Sequence, residues 1–307
     1  MIARLVDTFA RVLPGTLDEG VFVLGPDFGR DVRDELTRIC ESRGMEARFA
    51  VQEQALGTAH AVYAAHDFLS GDGIVVFADT LFDMEPIADI GNADVVAWVK
   101  HVDDPSRFGV AVREGENIVA FVEKPKELIS HEALIGIYYV RDLAALDAAI
   151  KYLIDNDITG VGREYQLTDA MDFMLKDGKV FHTATVTEWL DCGTIPALLD
   201  TTRVILGKEY GGTGGVAGIG ATINNSVVLP PVYIGAGASI SEAVVGPFVS
   251  VESGATIRRA VVSDSIVFAD AVVSDVVLTS SLVGRNAEVT LAPQKLNVGD
   301  HSTVGDT

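Results

Sequence analysis

The 307 residues predict an α/β half followed by a left-handed parallel β-helix, and three observations carry that expectation. From residue 1 to about 205, short β-branched runs alternate with helical patterns, as in a mostly parallel sheet covered by helices. From about Gly211 the pattern changes to short β segments punctuated every five or six residues by small residues. Between the two, five glycines occur in the eight residues Gly211 to Gly218, which reads as a flexible joint. The division is therefore set at 1–210 and 211–307.

Ile2, Leu5, Val6, Phe9, Val12 and Leu13 fall on one helical stripe. Val21 to Leu24 is a strand stopped by Gly25-Pro26, and Asp31 to Arg43 is a helix ended by Gly44. Ala47 to Val51 follows as a strand, Gly57 to Phe68 as a helix and Ile74 to Phe77 as a strand. Strand candidates then come at Val95 to Val99, Gly109 to Val112, Ile118 to Val122 and Leu134 to Val140 with fewer helices between them, so the sheet becomes mixed there. Leu167, Ala170, Met171, Met174 and Leu175 mark one face of a helix that closes at Asp177-Gly178, before a strand from Phe181 to Val186.

In the second half, Ile219-Gly220-Ala221-Thr222-Ile223, Ile234 to Ile240 and Val249 to Ile257 repeat one theme, continued through Val267 to Val272 and Leu282 to Ala287. An inward aliphatic followed by Gly or Ala at a corner is what a β-helix needs, because each coil buries its apolar side only on its neighbours. A sandwich would show hairpin dipeptides and alternating polar faces instead.

Forty-four acidic against 23 basic side chains give a formal charge of −21, which repels a nucleic-acid backbone. Cys40 and Cys192 are too few for a disulfide framework or a thiolate zinc site, so a reducing cytoplasm is expected. No run of 18 apolar residues is present and Met1-Ile2-Ala3-Arg4-Leu5 has no long apolar core, so neither a membrane span nor export is expected.

Several clusters can carry chemistry. Gln52-Glu53-Gln54-Ala55-Leu56-Gly57-Thr58-Ala59 links a strand to a helix start, and a glutamine amide offers both donor and acceptor to a base edge. A packing glycine beside a solvated glutamine explains the same residues. Asp79 follows a strand read as buried and parallel, the end at which open α/β sheets hold ligands, although a helix-capping Asp is an equal reading. Asp191, in Trp189-Leu190-Asp191-Cys192-Gly193-Thr194, is a second isolated carboxylate, and two such groups can cage Mg²⁺, which completes its octahedron with water and phosphate oxygens. In Phe121-Val122-Glu123-Lys124-Pro125, Glu123 can accept from sugar hydroxyls and Lys124 can neutralise a sugar phosphate, or the two form a plain surface ion pair. Cys192 reads as a small buried filler, and His60 and His66 receive no role.

The order of these motifs resembles the sugar-phosphate nucleotidylyltransferases, the glucose-1-phosphate thymidylyltransferase and uridylyltransferase group with an appended hexapeptide β-helix. The likeness spans nearly the whole chain: Gln52 with Gly57, Asp79, Asp104-Pro105-Ser106-Arg107-Phe108-Gly109, Glu123-Lys124-Pro125, Glu164-Tyr165-Gln166-Leu167-Thr168-Asp169 and Trp189 to Thr194. The resemblance implies a Rossmann-like mixed sheet in which Gln52 and Gly57 hold the nucleobase, Gly109, Glu123 and Gly136 the sugar, Lys124 the sugar phosphate, and Asp79 and Asp191 a Mg²⁺. It implies a nucleoside triphosphate, dTTP or UTP, and a sugar 1-phosphate as substrates, pyrophosphate as the by-product, and a homo-oligomer assembled through the β-helix.

One part of the family pattern is absent: an opening strand, then a Gly-rich loop carrying an Arg, then Pro-Lys-Pro. The first residues resemble the helix that normally follows, so an N-terminally truncated domain is expected, with weak or no activity and two strands left without a neighbour. A non-catalytic nucleotide-sugar-binding regulatory or assembly subunit is the rival reading. A hexapeptide acyltransferase needs a histidine base in the coils, and residues 211–300 contain none; His301 comes after the repeats.

Overall fold

The computed structural model describes residues 1–13, 15–87, 91–211 and 216–291. It divides into two compact units, Met1–Leu190 and Asp191–Thr307.

The first unit opens with helix α1 (Ile2–Val12), which buries Leu5, Phe9 and Val12 of the predicted stripe. It continues through β1 (Glu19–Leu24), α2 (Arg30–Glu41), β2 (Glu46–Val51), α3 (Thr58–Tyr63), β3 (Gly73–Val76), β4 (Thr80–Asp83), β5 (Val95–His101), β6 (Gly109–Glu114), β7 (Asn117–Glu123) and β8 (Glu132–Val140). Then come α4 (Leu143–Asp155), α5 (Leu167–Lys176), β9 (Phe181–Thr185) and β10 (Glu188–Asp191), which ends at the division; α6 (Ile195–Tyr210) falls in the second unit. The helix expected over Gly57 to Phe68 is two pieces. Ala64 and Ala65 donate to carbonyls three residues back, and the tightened turn passes into a separate 3₁₀ turn, His66–Phe68.

The main sheet has the order β3-β8-β5-β9-β7-β6, and within it only β5 and β9 run parallel. It is mixed, as anticipated for its later strands, but antiparallel pairing begins at β3. One reason is local: β6 and β7 join through the two residues Gly115 and Glu116, with Gly115 at φ +64°, and so tight a link permits only an antiparallel pair. β1 and β2 form a separate parallel pair, and β4 pairs with β10. Among the described residues β1 has no strand partner but β2, and β3 none but β8. Trp98 and Val99 of β5, Phe181 of β9, Leu146 and Ile150 of α4 and Met171 of α5 are sealed from solvent.

Asp79 needs correction here. The strand before it, β3, is half-buried and antiparallel to β8, so the rule for carboxyl ends of buried parallel strands does not apply; Asp79 sits exposed in the turn between β3 and β4.

In the second unit, parallel strands stack into three ladders. Equivalent positions recur at 17 residues and then at 16, as in Thr222 with Ser239 and Arg259 with Asp275. Val232, Ile234, Ile240, Val245, Val251, Ile257, Val262 and Val273 point inward and are buried. Glycines at positive φ do turn one corner, at Gly220, Gly237 and Gly254, but Asp270 and Asn286 take over that corner in later coils. Another corner uses Asn225, Glu242, Arg259 and Asp275, all left-handed. Small residues were thus only part of the turning device; the short polar side chains of Asn225, Asp270, Asp275 and Asn286 tolerate the same backbone by bonding locally, and Glu242 and Arg259 show that longer ones hold it too. The segments 212–215 and 292–307, including His301, lie outside the described residues.

Ile257 is 0% exposed between coils. Ile257→Ala is expected to lower unfolding free energy by about 2–5 kcal/mol, the range for emptying an aliphatic site. Arg259→Ala, whose bonds to Asp275 are solvent-exposed, leaves the urea midpoint nearly unchanged. Chemical denaturation of the two variants checks both.

Candidate active site

Two segments more than a hundred residues apart are stitched together at the start of α3. Tyr165 donates its N–H to the Leu56 carbonyl at 2.8 Å and accepts from the Ala59 N–H at 2.9 Å, while Leu167 N–H donates to Thr58 Oγ1 at 2.9 Å. Gly57 lies at the seam with φ +117°, and a Cβ there would sit 2.5 Å from the Tyr165 carbonyl oxygen. Only glycine fits so close a backbone approach. Gln52 is tied to this seam: its Nε2 donates to the Gly57 carbonyl at 3.1 Å and lies 3.1 Å from His60 Nδ1.

The seam continues into the sugar-side candidates. Thr168, on the first turn of α5, donates its hydroxyl to Glu123 Oε2 at 3.2 Å. Gly109 faces Glu123 across the β6–β7 pair, where a Cβ would meet Glu123 Oε2 at 2.8 Å and the Thr168 methyl at 3.3 Å. Gly136 lies where β8 bulges against β5, the pairing jumping from Ala97 with Tyr138 to Val99 with Leu134. Its φ is +75°, its carbonyl accepts from the Phe77 N–H at 2.9 Å, and a Cβ would strike the Phe77 ring. Lys124 holds a left-handed φ of +43° and is exposed; its N–H donates to the Phe108 carbonyl at 3.1 Å, which pins an unusual conformation for a residue before proline.

The Glu123 carboxyl is pushed above the ordinary glutamate range chiefly by burial; the Thr168 bond and Lys124 pull it back, while Asp169 and Glu164 push it further up. Asp169 is raised too, by burial first and then by Asp172. One oxygen of Asp169 is buried without a hydrogen-bond partner among the described residues, packed where Gly160 lacks a side chain.

The structure thus brings Gln52, Gly57, Gly109, Glu123 and the Lys124 backbone onto one connected wall, with Gly136 behind Phe77 two residues before Asp79. Asp191 opens the second unit, its Oδ1 accepting from the Gly193 N–H at 2.8 Å. Cys192 is half-buried and not fully enclosed. Thr168, Tyr165 and His60 were not singled out in the sequence. Trp189 was quoted only within its motif, yet it meets Phe108 edge-on with ring centroids 5.0 Å apart and has a buried indole N–H without a hydrogen-bond partner among the described residues. The position of Thr168 and Tyr165 within Glu164 to Asp169 was the available signal.

The family model described as nucleotidyl transferase matches residues 4–207. The chain belongs to the nucleotidyl transferase family. A second model, the GlmU-like C-terminal hexapeptide, matches residues 213–273, so the chain is a sugar-1-phosphate nucleotidylyltransferase by family with an appended hexapeptide β-helix. It is 30% identical over 288 residues to a glucose-1-phosphate thymidylyltransferase of Streptomyces antibioticus, covering 85% of this chain and 79% of that one. It is 28% identical over 184 residues to the bifunctional protein GlmU of Methanococcus maripaludis, covering 59% of this chain and spanning only 43% of that protein. Among solved structures, a UDP-glucose pyrophosphorylase complexed with UDP-glucose superposes with a TM-score of 0.53 at 17% identity, covering 68% and 87% of the two chains. A nucleoside-diphosphate-sugar pyrophosphorylase from Vibrio cholerae RC9 gives 0.53 at 16%, covering 66% and 85%. These two likenesses establish the fold.

Among the described residues no group of three or more His, Cys, Asp or Glu side chains could by itself hold a metal ion. Mg²⁺ does not require one, since one or two carboxylates with water and phosphate oxygens suffice. Asp79 and Asp191 fit that sparse donor set in kind.

Because the folded Glu123 keeps its proton to higher pH than the unfolded chain, its contribution to stability is present at low pH. It is lost as pH rises from the ordinary glutamate range to the raised folded value. Glu123→Gln keeps an acceptor for Thr168 without the charge. Melting temperatures measured across pH are expected to show wild type losing ground to the variant over that interval and a constant gap above it.

Proposed function

We propose that this protein joins a nucleoside triphosphate, dTTP or UTP, to a sugar 1-phosphate, releasing pyrophosphate and forming a nucleotide sugar. The observation that carries this reading is the bonded seam from Gln52 and Gly57 through Tyr165 to Thr168 and Glu123. It sets an amide suited to a base edge and a half-buried carboxyl suited to sugar hydroxyls on one connected wall. The name of the Streptomyces relative supports glucose 1-phosphate and a thymidine nucleotide.

An oxygen of the sugar phosphate attacks the α-phosphorus; the new P–O bond forms as the bond to pyrophosphate breaks, and no covalent enzyme intermediate is needed. Lys124 neutralises the sugar phosphate, Glu123 accepts from sugar hydroxyls, and Gly109 and Gly136 leave the hexose room. Holding both substrates in line supplies most of the acceleration. Asp79 and Asp191 are assigned to Mg²⁺, which when bound supplies a Lewis acid to phosphate oxygens.

Residues 1–210 are assigned the chemistry and 211–307 assembly, in a reducing cytoplasm, a reading supported by Cys40 and Cys192, neither of which forms a disulfide among the described residues. Assembly as a homo-oligomer is supported by a row of outward valines on one β-helix ladder, Val227, Val244, Val261 and Val277, of which Val277 is 74% exposed. Val261→Asp with Val277→Asp is expected to reduce the mass in light scattering to that of one chain; an unchanged oligomer removes this face from the interface.

Equilibrium dialysis with dTDP-glucose and UDP-glucose tests the main reading. At least one is expected to bind, and Lys124→Ala weakens it at least tenfold. Failure of both to bind sinks the reading, whereas binding together with pyrophosphate exchange into dTTP or UTP supports it.

A further inference from the structure

His60 lies outside every motif role assigned above, yet it touches the one side chain expected to read the base. The Gln52 amide has two N–H groups and one oxygen. One N–H goes to the Gly57 carbonyl at 3.1 Å, and a carbonyl can only accept, so the nitrogen must face that way. The same nitrogen lies 3.1 Å from His60 Nδ1, which can accept the second N–H only in the neutral tautomer protonated on Nε2. The imidazole is itself held, lying nearly parallel to the Tyr165 ring with centroids 6.5 Å apart. Both donors of Gln52 are therefore spent inside the protein, and Oε1 forms no hydrogen bond among the described residues. Gln52 is only half-buried, so that oxygen is open to a ligand.

We propose that His60 is a positioning residue which, with the Gly57 carbonyl, locks the Gln52 amide so that only an acceptor faces the base, and that this selects bases carrying a ring N–H. Uracil, thymine and guanine present an imide-type N–H at that edge; cytosine and adenine present a bare ring nitrogen, and two acceptors facing each other lose the bond and repel. The inference rests on the nucleotide site proposed above and adds to it the reason for discrimination and the residue that enforces it.

Binding measured by titration calorimetry with UTP, CTP and 3-methyl-UTP, each with Mg²⁺, tests this. Wild type is expected to bind UTP at least tenfold more tightly than CTP, about 1.4 kcal/mol, and to lose a similar factor for 3-methyl-UTP, which keeps both carbonyls but lacks the N–H. His60→Phe keeps a ring against Tyr165 but removes the acceptor, freeing the amide to turn; the UTP-over-CTP ratio falls at least threefold. His60→Asn places an acceptor oxygen two bonds from Cβ, as Nδ1 is, and brings the ratio back to within twofold of wild type. Equal binding of UTP and 3-methyl-UTP, a ratio unmoved in His60→Phe, or no rescue by His60→Asn overturns the proposal while leaving the nucleotide site standing. If no nucleotide binds to wild type, the site assignment fails and this inference fails with it.

Discussion

The close backbone approach at Gly57 is the constraint on which the candidate site depends. With no side chain there, the Tyr165 segment reaches the chain just ahead of α3, and three hydrogen bonds close the gap. Everything downstream follows from that contact. Tyr165 fixes the start of α5, α5 carries Thr168, Thr168 bonds Glu123, and Glu123 faces Gly109 across a β pair. Gln52 at one end and Glu123 at the other are linked through backbone bonds at Leu56, Ala59 and Tyr165 and side-chain bonds of Gln52, Thr58 and Thr168. Surface ion pairs such as Lys151 with Asp155 would not serve, because they hold little free energy in water.

Glycine does two different jobs along this wall. At Gly57 and Gly136 the backbone itself is left-handed, so any side chain would be strained before it clashed. At Gly109 the backbone is ordinary strand, and what forbids a side chain is the Glu123 carboxylate beside it. The first kind fixes the path of the chain, while the second leaves room next to a functional group, where a ligand atom can enter. Lys124 is the counter-example, a left-handed residue that is not glycine, kept there by the Phe108 carbonyl. Strain of that kind persists when neighbours over-determine it and is concentrated where function needs a fixed direction.

How far the sequence reaches can be judged from particular elements. The β-helix was legible because its period is short and its inward positions are nearly all aliphatic, Ser265 being an exception; the helix α1 was legible from one stripe. The orientation of β3 was not, since a four-residue apolar run looks the same whether its neighbour runs up or down. Helices α4 and α6 had readable signals that the strand pattern overshadowed: Asp142 and Thr194 cap them, and Leu143, Leu146, Ile150 and Leu153 recur at helical spacing. At the site, residue types were legible but partners were not. Nothing in the local sequence says that His60 meets Gln52, because the loop between them must first be bent by a residue at position 165.

Charge sets the remaining condition on the site. A chain with a formal charge of −21 has to receive two phosphorylated substrates, and bulk electrostatics opposes both. The opposition is met locally. Lys124 stands exposed at the end of β7, and Arg107 lies over the Phe108 ring on the approach to β6, so cationic groups sit near Glu123 and Gly109. Burial of Glu123 works in the same direction, because it disfavours the charged form of that carboxyl, while the Thr168 bond and Lys124 act against it.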